Sequence, residues 1–232
     1  MANNYKKCVE IIKMIIESHG YKFKEAMQPH PIFPSFATQD METREMVHIT
    51  PDNIEKLKKQ WYDMFDKMAR EKDIWKIMMM LHKPYRLQIL LYIYNHLDGD
   101  TFTELLKNNW MSTEFPHQNG IRPMIDAFKK TNKDKLMDKE ELEFYNNLPE
   151  TIVCYRGLQA PKAPIRGLSW TLDKKKAKWF ARRWSQKNKL YQAKINKKHI
   201  FAYFNDRDEE EVVLNPLYLK ELKLTNDNQR IN

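Results

Sequence analysis

Three stretches decide how the chain reads: residues 151–158, TIVCYRGL; residues 166–184, RGLSWTLDKKKAKWFARRW; and residues 205–216, NDRDEEEVVLNP. TIVCY (151–155) and LSWTL (168–172) are β-branched and apolar enough to read as strands. LYQAKI (190–195), HIFAYF (199–204), EVVL (211–214) and LYLKELKL (217–224) continue the series. One helix interrupts it, with Asp173 as N-cap and Ala177, Phe180, Ala181 and Trp184 facing inward. Each stretch puts a polar or charged group where a strand meets a turn. Arg156 ends a buried strand and is followed by Gly157, which permits close backbone approach. Strand alternation sends Ser169 and Thr171 to one face and Trp170 to the other. The same alternation gives Glu209 and Glu211 a shared face and points Glu210 away.

Upstream of Leu148-Pro149 the texture is helical. Val9, Ile12, Ile15 and Ile16 form one face of a helix that stops at Gly20. Residues 27–50 contain several prolines and read as an irregular connector, closed by Thr50 as N-cap and Pro51 at N1. Ile54, Leu57, Trp61, Met64, Phe65 and Met68 then make the best amphipathic stripe in the protein. Shorter helical patterns follow at 73–82, 85–97, 102–108, 121–130 and 138–147. The expected class is therefore α+β. Residues 1–50 form an N-terminal helix and connector, 51–148 a helical lobe, and 149–232 a strand-rich core.

Composition narrows the function. The 232 residues are 42% hydrophobic and 12% aromatic, enough to build a core. Five glycines provide neither a GxGxxG turn nor a P-loop, so the glycine-rich ways of cradling a nucleotide are excluded. The formal charge is +9, and residues 151–232 alone carry 18 Lys/Arg against 8 Asp/Glu. Lys174 to Asn205 holds eleven basic residues and no acid, a field that attracts polyanions. Cys8 and Cys154 lie far apart without a CxxC, and the seven histidines lack ligand spacing, so neither a disulfide framework nor a metal site is expected. No membrane span or signal peptide is legible, and the expected location is cytoplasmic.

The ordered set of Arg156, Ser169-Trp170-Thr171 and Glu209-Glu210-Glu211 resembles the R-S-E signature of mono-ADP-ribosyltransferases, the group of cholera-toxin-like and arginine-specific enzymes. The resemblance runs from about Leu148 to Pro216, with Ser-Trp-Thr standing where Ser-Thr-Ser is usual. It implies a split antiparallel sheet preceded by a helical lobe, NAD+ as co-substrate, and no metal. It further implies that Arg156 holds the pyrophosphate, with Gly157 offering backbone contacts to the nicotinamide amide. Ser169 would steady the catalytic carboxylate, and Trp170 and Thr171 would support the nicotinamide pocket. Glu211 aligns with the catalytic glutamate and Glu209 with the acceptor-directing one; a one-residue slip would transfer these roles to Glu210 and Asp208.

Two acceptor classes compete. Glu-x-Glu favours protein arginine. The basic run with its interleaved aromatics favours nucleic acid, RNA before DNA, with Lys174, Lys175, Lys176, Lys178 and Arg182 as candidate contacts. Similar transferases occur as toxins in bacterial and phage conflict systems, which makes a neutralising antitoxin a possible partner. An NAD glycohydrolase and a non-enzymatic NAD-binding module are the alternatives.

Overall fold

The computed structural model describes residues 2–24, 27, 29–114, 116–158, 163–183 and 189–225, with the side chains of 116 and 117 left aside. The chain divides into two compact units, Met1–Pro116 and His117–Asn232.

The first unit is helical. It contains α1 (Tyr5–Ser18), the β1–β2 hairpin (Ala37–Gln39, Met46–His48), α2 (Ile54–Arg70), α3 (Ile74–Met80), α4 (Lys83–Ile93) and α5 (Gly99–Ser112). Val9, Ile12 and Ile16 of α1 are buried as their spacing predicts, together with Leu57 and Phe65 of α2. Two readings need correcting. The stretch 27–50 is not wholly irregular, because β1 and β2 pair antiparallel through Ala37↔His48, Thr38↔Val47 and Gln39↔Met46. Thr50-Pro51 opens a turn rather than the helix: the Asn53 side chain accepts from Thr50 N at 2.9 Å, and α2 begins one residue later.

The second unit comprises α6 (Ile121–Lys129), α7 (Lys133–Leu136), α8 (Lys139–Asn147), β3 (Thr151–Gly157), β4 (Ser169–Thr171), α9 (Lys174–Arg183), β5 (Leu190–Asn196), β6 (Ile200–Phe204), β7 (Glu211–Leu214) and β8 (Lys220–Thr225). Composition changes at Leu148, yet the compact units divide at His117. The reason is packing. Phe144 of α8 stacks on Tyr203 at 4.2 Å between ring centroids, and Phe128 of α6 on Phe201 at 5.7 Å, so both helices cover β6.

The six strands form one antiparallel sheet in the order β6-β7-β4-β3-β5-β8. It is well knit within each half and weak between them. β3 pairs with β5 along seven residues, from Thr151↔Asn196 to Gly157↔Leu190. β4 pairs with β7 along all of its length. Among the described residues the halves share a single register pair, Tyr155↔Thr171, so the sheet splays at the C-terminal end of β3. The strand expected at 217–224 starts later, at Lys220, because Pro216–Tyr218 forms a 3-10 turn capped by the Asn215 side chain. Cys154, inside β3, and Cys8, in α1, are both free and buried, and burial pushes each thiol up to about 12. Among the described residues, no helix is long and apolar enough to cross a membrane.

Candidate active site at the splayed strands

The sheet order sets Arg156 on β3, Ser169 on β4 and Glu211 on β7, three adjacent strands. Residues 13 and 55 positions from Arg156 in sequence thereby converge where the two half-sheets part. Arg156 Nη1 donates to the Ser169 carbonyl, tying β3 to β4 beyond their last backbone pair. Ser169 lies opposite Val213, and Thr171 opposite Glu211.

Arg156 is partly exposed as a residue, but its Nε is enclosed and has no hydrogen-bond partner among the described residues. Burial pulls the guanidinium down to about 10, and the charge of Glu211 opposes that shift. An enclosed cationic N–H without an acceptor costs about 1–3 kcal/mol or more. A guanidinium presents paired donors that suit phosphate or carboxylate, and Nη1 is already engaged by the Ser169 carbonyl.

The two nearby glycines differ in what surrounds them. A Cβ on Gly157 would overlap the Ala177 carbonyl and sit 2.5 Å from Ala181 N, so α9 lies directly on the end of β3. The close approach expected at Gly157 is thus made by a helix backbone. A Cβ on Gly167 would strike the Arg156 guanidinium. Gly167 therefore makes the space in which Arg156 lies.

Thr171 is buried, and its hydroxyl donates to the Glu209 carbonyl at 2.7 Å while accepting from Asp173 N at 3.0 Å. Its visible work is to hold the acidic loop. Trp170 is buried, with Nε1 on the Gly167 carbonyl at 2.8 Å. Asp173 caps α9 as expected, accepting from Lys175 N at 2.6 Å.

The alternation argument for Glu209 and Glu211 does not hold. β7 starts at Glu211, and the two acids before it lie in the irregular segment that follows a turn at Asp206 and Arg207. Asp208 (φ 54°) and Glu210 (φ 46°) both occupy the left-handed region, which interrupts the strand's two-residue period. The turn is held in that form by neighbours: Asn205 accepts from Glu210 N through Oδ1 (3.1 Å) and from Asp208 N through its carbonyl (2.8 Å), and Leu172 N donates to the Glu210 carbonyl (3.1 Å).

A residue absent from the sequence reading anchors this turn. Glu141 of α8 is 3% exposed. Its Oε1 accepts from Asn205 N at 2.9 Å and its Oε2 from Asp138 N at 3.0 Å, so one carboxylate caps α8 and fixes the start of the acidic turn. The capping-box spacing of Asp138 and Glu141 was legible, but the second partner is 64 residues away. Asp138, Glu141 and Asp206 lie within 4.8 Å of one another, with both Glu141 oxygens committed to backbone N–H groups. Glu141→Ala is expected to destabilise the fold by about 2 kcal/mol, since two part-buried N–H groups lose their acceptor. It should also speed amide exchange at Asn205 and Glu210, measured by hydrogen–deuterium exchange; unchanged exchange there would refute the anchoring role.

The basic residues separate into two groups. Lys176 pairs with Asp208 at 2.7 Å, Lys194 with Glu221 at 2.8 Å, and Lys197 donates to the Asn146 carbonyl at 2.7 Å, closing α8. Lys174, Lys175 and Arg182 are exposed on α9, and Lys178 is half-buried. Ala177 and Ala181 face inward as expected, Phe180 is half-buried, and Trp184 lies outside the described residues. No protein-family model, curated protein or solved structure matches the chain.

Proposed function

We propose that the chain is an NAD+-dependent mono-ADP-ribosyltransferase acting on a macromolecular acceptor, with nucleic acid, RNA before DNA, favoured over protein arginine. The observation that carries this reading is the enclosed Arg156, bound to Ser169 on the next strand and in the field of Glu211 on the strand after. The donor set suits a pyrophosphate, and the carboxylate suits the ribose.

In this reading Arg156 grips the NAD+ pyrophosphate and orients the dinucleotide across the splay. Glu211 accepts a hydrogen bond from the ribose 2′-hydroxyl. As the bond from C1′ to the nicotinamide nitrogen breaks, its electron pair leaves with neutral nicotinamide, and positive charge develops on the ribose. The fixed negative charge of Glu211 stabilises that oxocarbenium-like centre. The acceptor nucleophile then forms the new bond to C1′ and gives up its proton, which Glu209 can receive or direct. Basic residues on α9 supply the field that draws in a polyanionic acceptor.

Cell lysate incubated with adenine-labelled NAD+, with and without RNase and protease, tests the reading. RNase-sensitive label is the expected result. Protease-sensitive label alone would identify a protein acceptor. Free ADP-ribose alone would make the protein a hydrolase, and unconsumed NAD+ would overturn the enzymatic assignment. Arg156→Ala is expected to weaken NAD+ binding roughly 10- to 100-fold by calorimetry, the loss of a charge-assisted fork. An unchanged affinity would remove Arg156 from the phosphate site.

A further inference from the structure

We propose that the outward face of α9 is a binding platform for single-stranded RNA, with Trp179 as the surface on which an unpaired base stacks. The helix is seated by Ala177 and Ala181 against Gly157. At about 100° per residue, Trp179 falls on the opposite side of the helix from that contact. Lys175, Lys178, Trp179 and Arg182 follow at i, i+3, i+4 and i+7 and so make one stripe.

Trp179 is 54% exposed. Phe180 supports it edge-on at 5.0 Å between centroids, and the Arg183 guanidinium lies 5.2 Å from its ring centre. A solvated helix face needs lysines and no indole. An exposed tryptophan beside arginines offers a π-face to a base and cations to its phosphates.

The charge arrangement on α9 works against the helix itself. Six of its ten residues are basic and none is acidic. Lys174, Lys175 and Lys176 occupy the first turn, where the helix dipole disfavours cations. Like charges at i,i+4, such as Lys174 and Lys178, add further cost. Asp173 and Asp208 offset part of that cost, and a polyanion on this face offsets more of it. Duplexes keep their bases stacked internally, so the indole selects single strands, and unpaired stretches are the usual targets in RNA.

The platform adjoins the acidic turn. Lys176 bonds Asp208, three residues before Glu211, and Trp179 is one helical turn farther on, about 4.5 Å along the axis. That this delivers RNA to the transfer site rests on the proposed function; the binding surface does not.

Fluorescence anisotropy with a labelled ten-nucleotide RNA of mixed sequence tests the platform in the full-length protein. Trp179→Ala is expected to weaken binding roughly tenfold, the worth of one stacked base, while Trp179→Phe stays within about threefold of wild type. Replacing Lys175, Lys178 and Arg182 with alanine should reduce the slope of log K against log salt by about 2. Trp179 is exposed, so thermal melts of both Trp179 variants should match wild type. Equal RNA affinity for wild type and Trp179→Ala overturns the proposal. So does duplex RNA, single-stranded DNA or an acidic peptide binding more tightly than single-stranded RNA. RNA binding that depends on Trp179 without any transfer would sink the proposed function and leave the platform standing. RNA labelling indifferent to Trp179 would do the reverse.

Discussion

Glu211→Gln is expected to lower ADP-ribosyl transfer by roughly 100-fold or more while NAD+ affinity stays within about threefold. The substitution keeps size and shape and removes one negative charge. Glu211 is half-buried at the first position of β7, and its strand pairing with Thr171 and Phe204 is made by backbone that the change leaves alone. The fold should therefore survive. In the proposed mechanism ground-state NAD+ is held through Arg156, whereas charge on the ribose develops only as the glycosidic bond opens. Loss of the carboxylate thus falls on the transition state, and the deficit should appear in kcat with little change in KM. Transfer kinetics with labelled NAD+, paired with calorimetric binding, give both numbers. A variant that transfers ADP-ribose at the wild-type rate would dismiss Glu211 as the catalytic carboxylate.

Gly157→Ala should produce the largest loss of stability, about 3 kcal/mol or more, lowering Tm by roughly 10 °C. The added methyl meets the Ala177 carbonyl and Ala181 N, backbone atoms of a packed helix that cannot rotate away. Gly167→Ala makes a useful contrast. Its methyl meets the end of the Arg156 side chain, which can swing aside. Stability should change little there, while NAD+ affinity falls because the guanidinium is displaced from beside Ser169. Thermal melts and NAD+ titrations on the two variants separate these effects. Equal melting temperatures would contradict the close seating of α9 on β3.

Much of the second unit was legible because its strands are short, apolar and bounded by turns. TIVCY, LSWTL, HIFAYF and EVVL each lie on or beside an observed strand, and Asp173 caps the helix between them. The hairpin Ala37–Gln39 with Met46–His48 was missed because neither strand is buried, so no apolar alternation marks it. The turn before Glu211 was misread for another reason. Alternation assumes extended backbone, and Asn205, Thr171 and Leu172 instead hold Asp208 and Glu210 at positive φ. Glu141 gave only its capping signal, since its contact with Asn205 is long-range. The basic run looked uniform in sequence; in three dimensions Lys176, Lys194 and Lys197 serve the fold.

The sequence by itself determined the α+β class, the order of the strand-rich region, and three chemically distinct stretches bearing Arg156, Ser169 and Glu211. Those depend on local pattern, and side-chain periodicity and turn chemistry are written in neighbouring residues. Tertiary structure decided that these residues stand on adjacent strands, that the sheet parts beside them, and that Arg156 is enclosed. It also decided that Gly157 belongs to helix packing and that Trp179 faces solvent. Enclosure and exposure are set by which distant segments cover a side chain, and no local pattern records that.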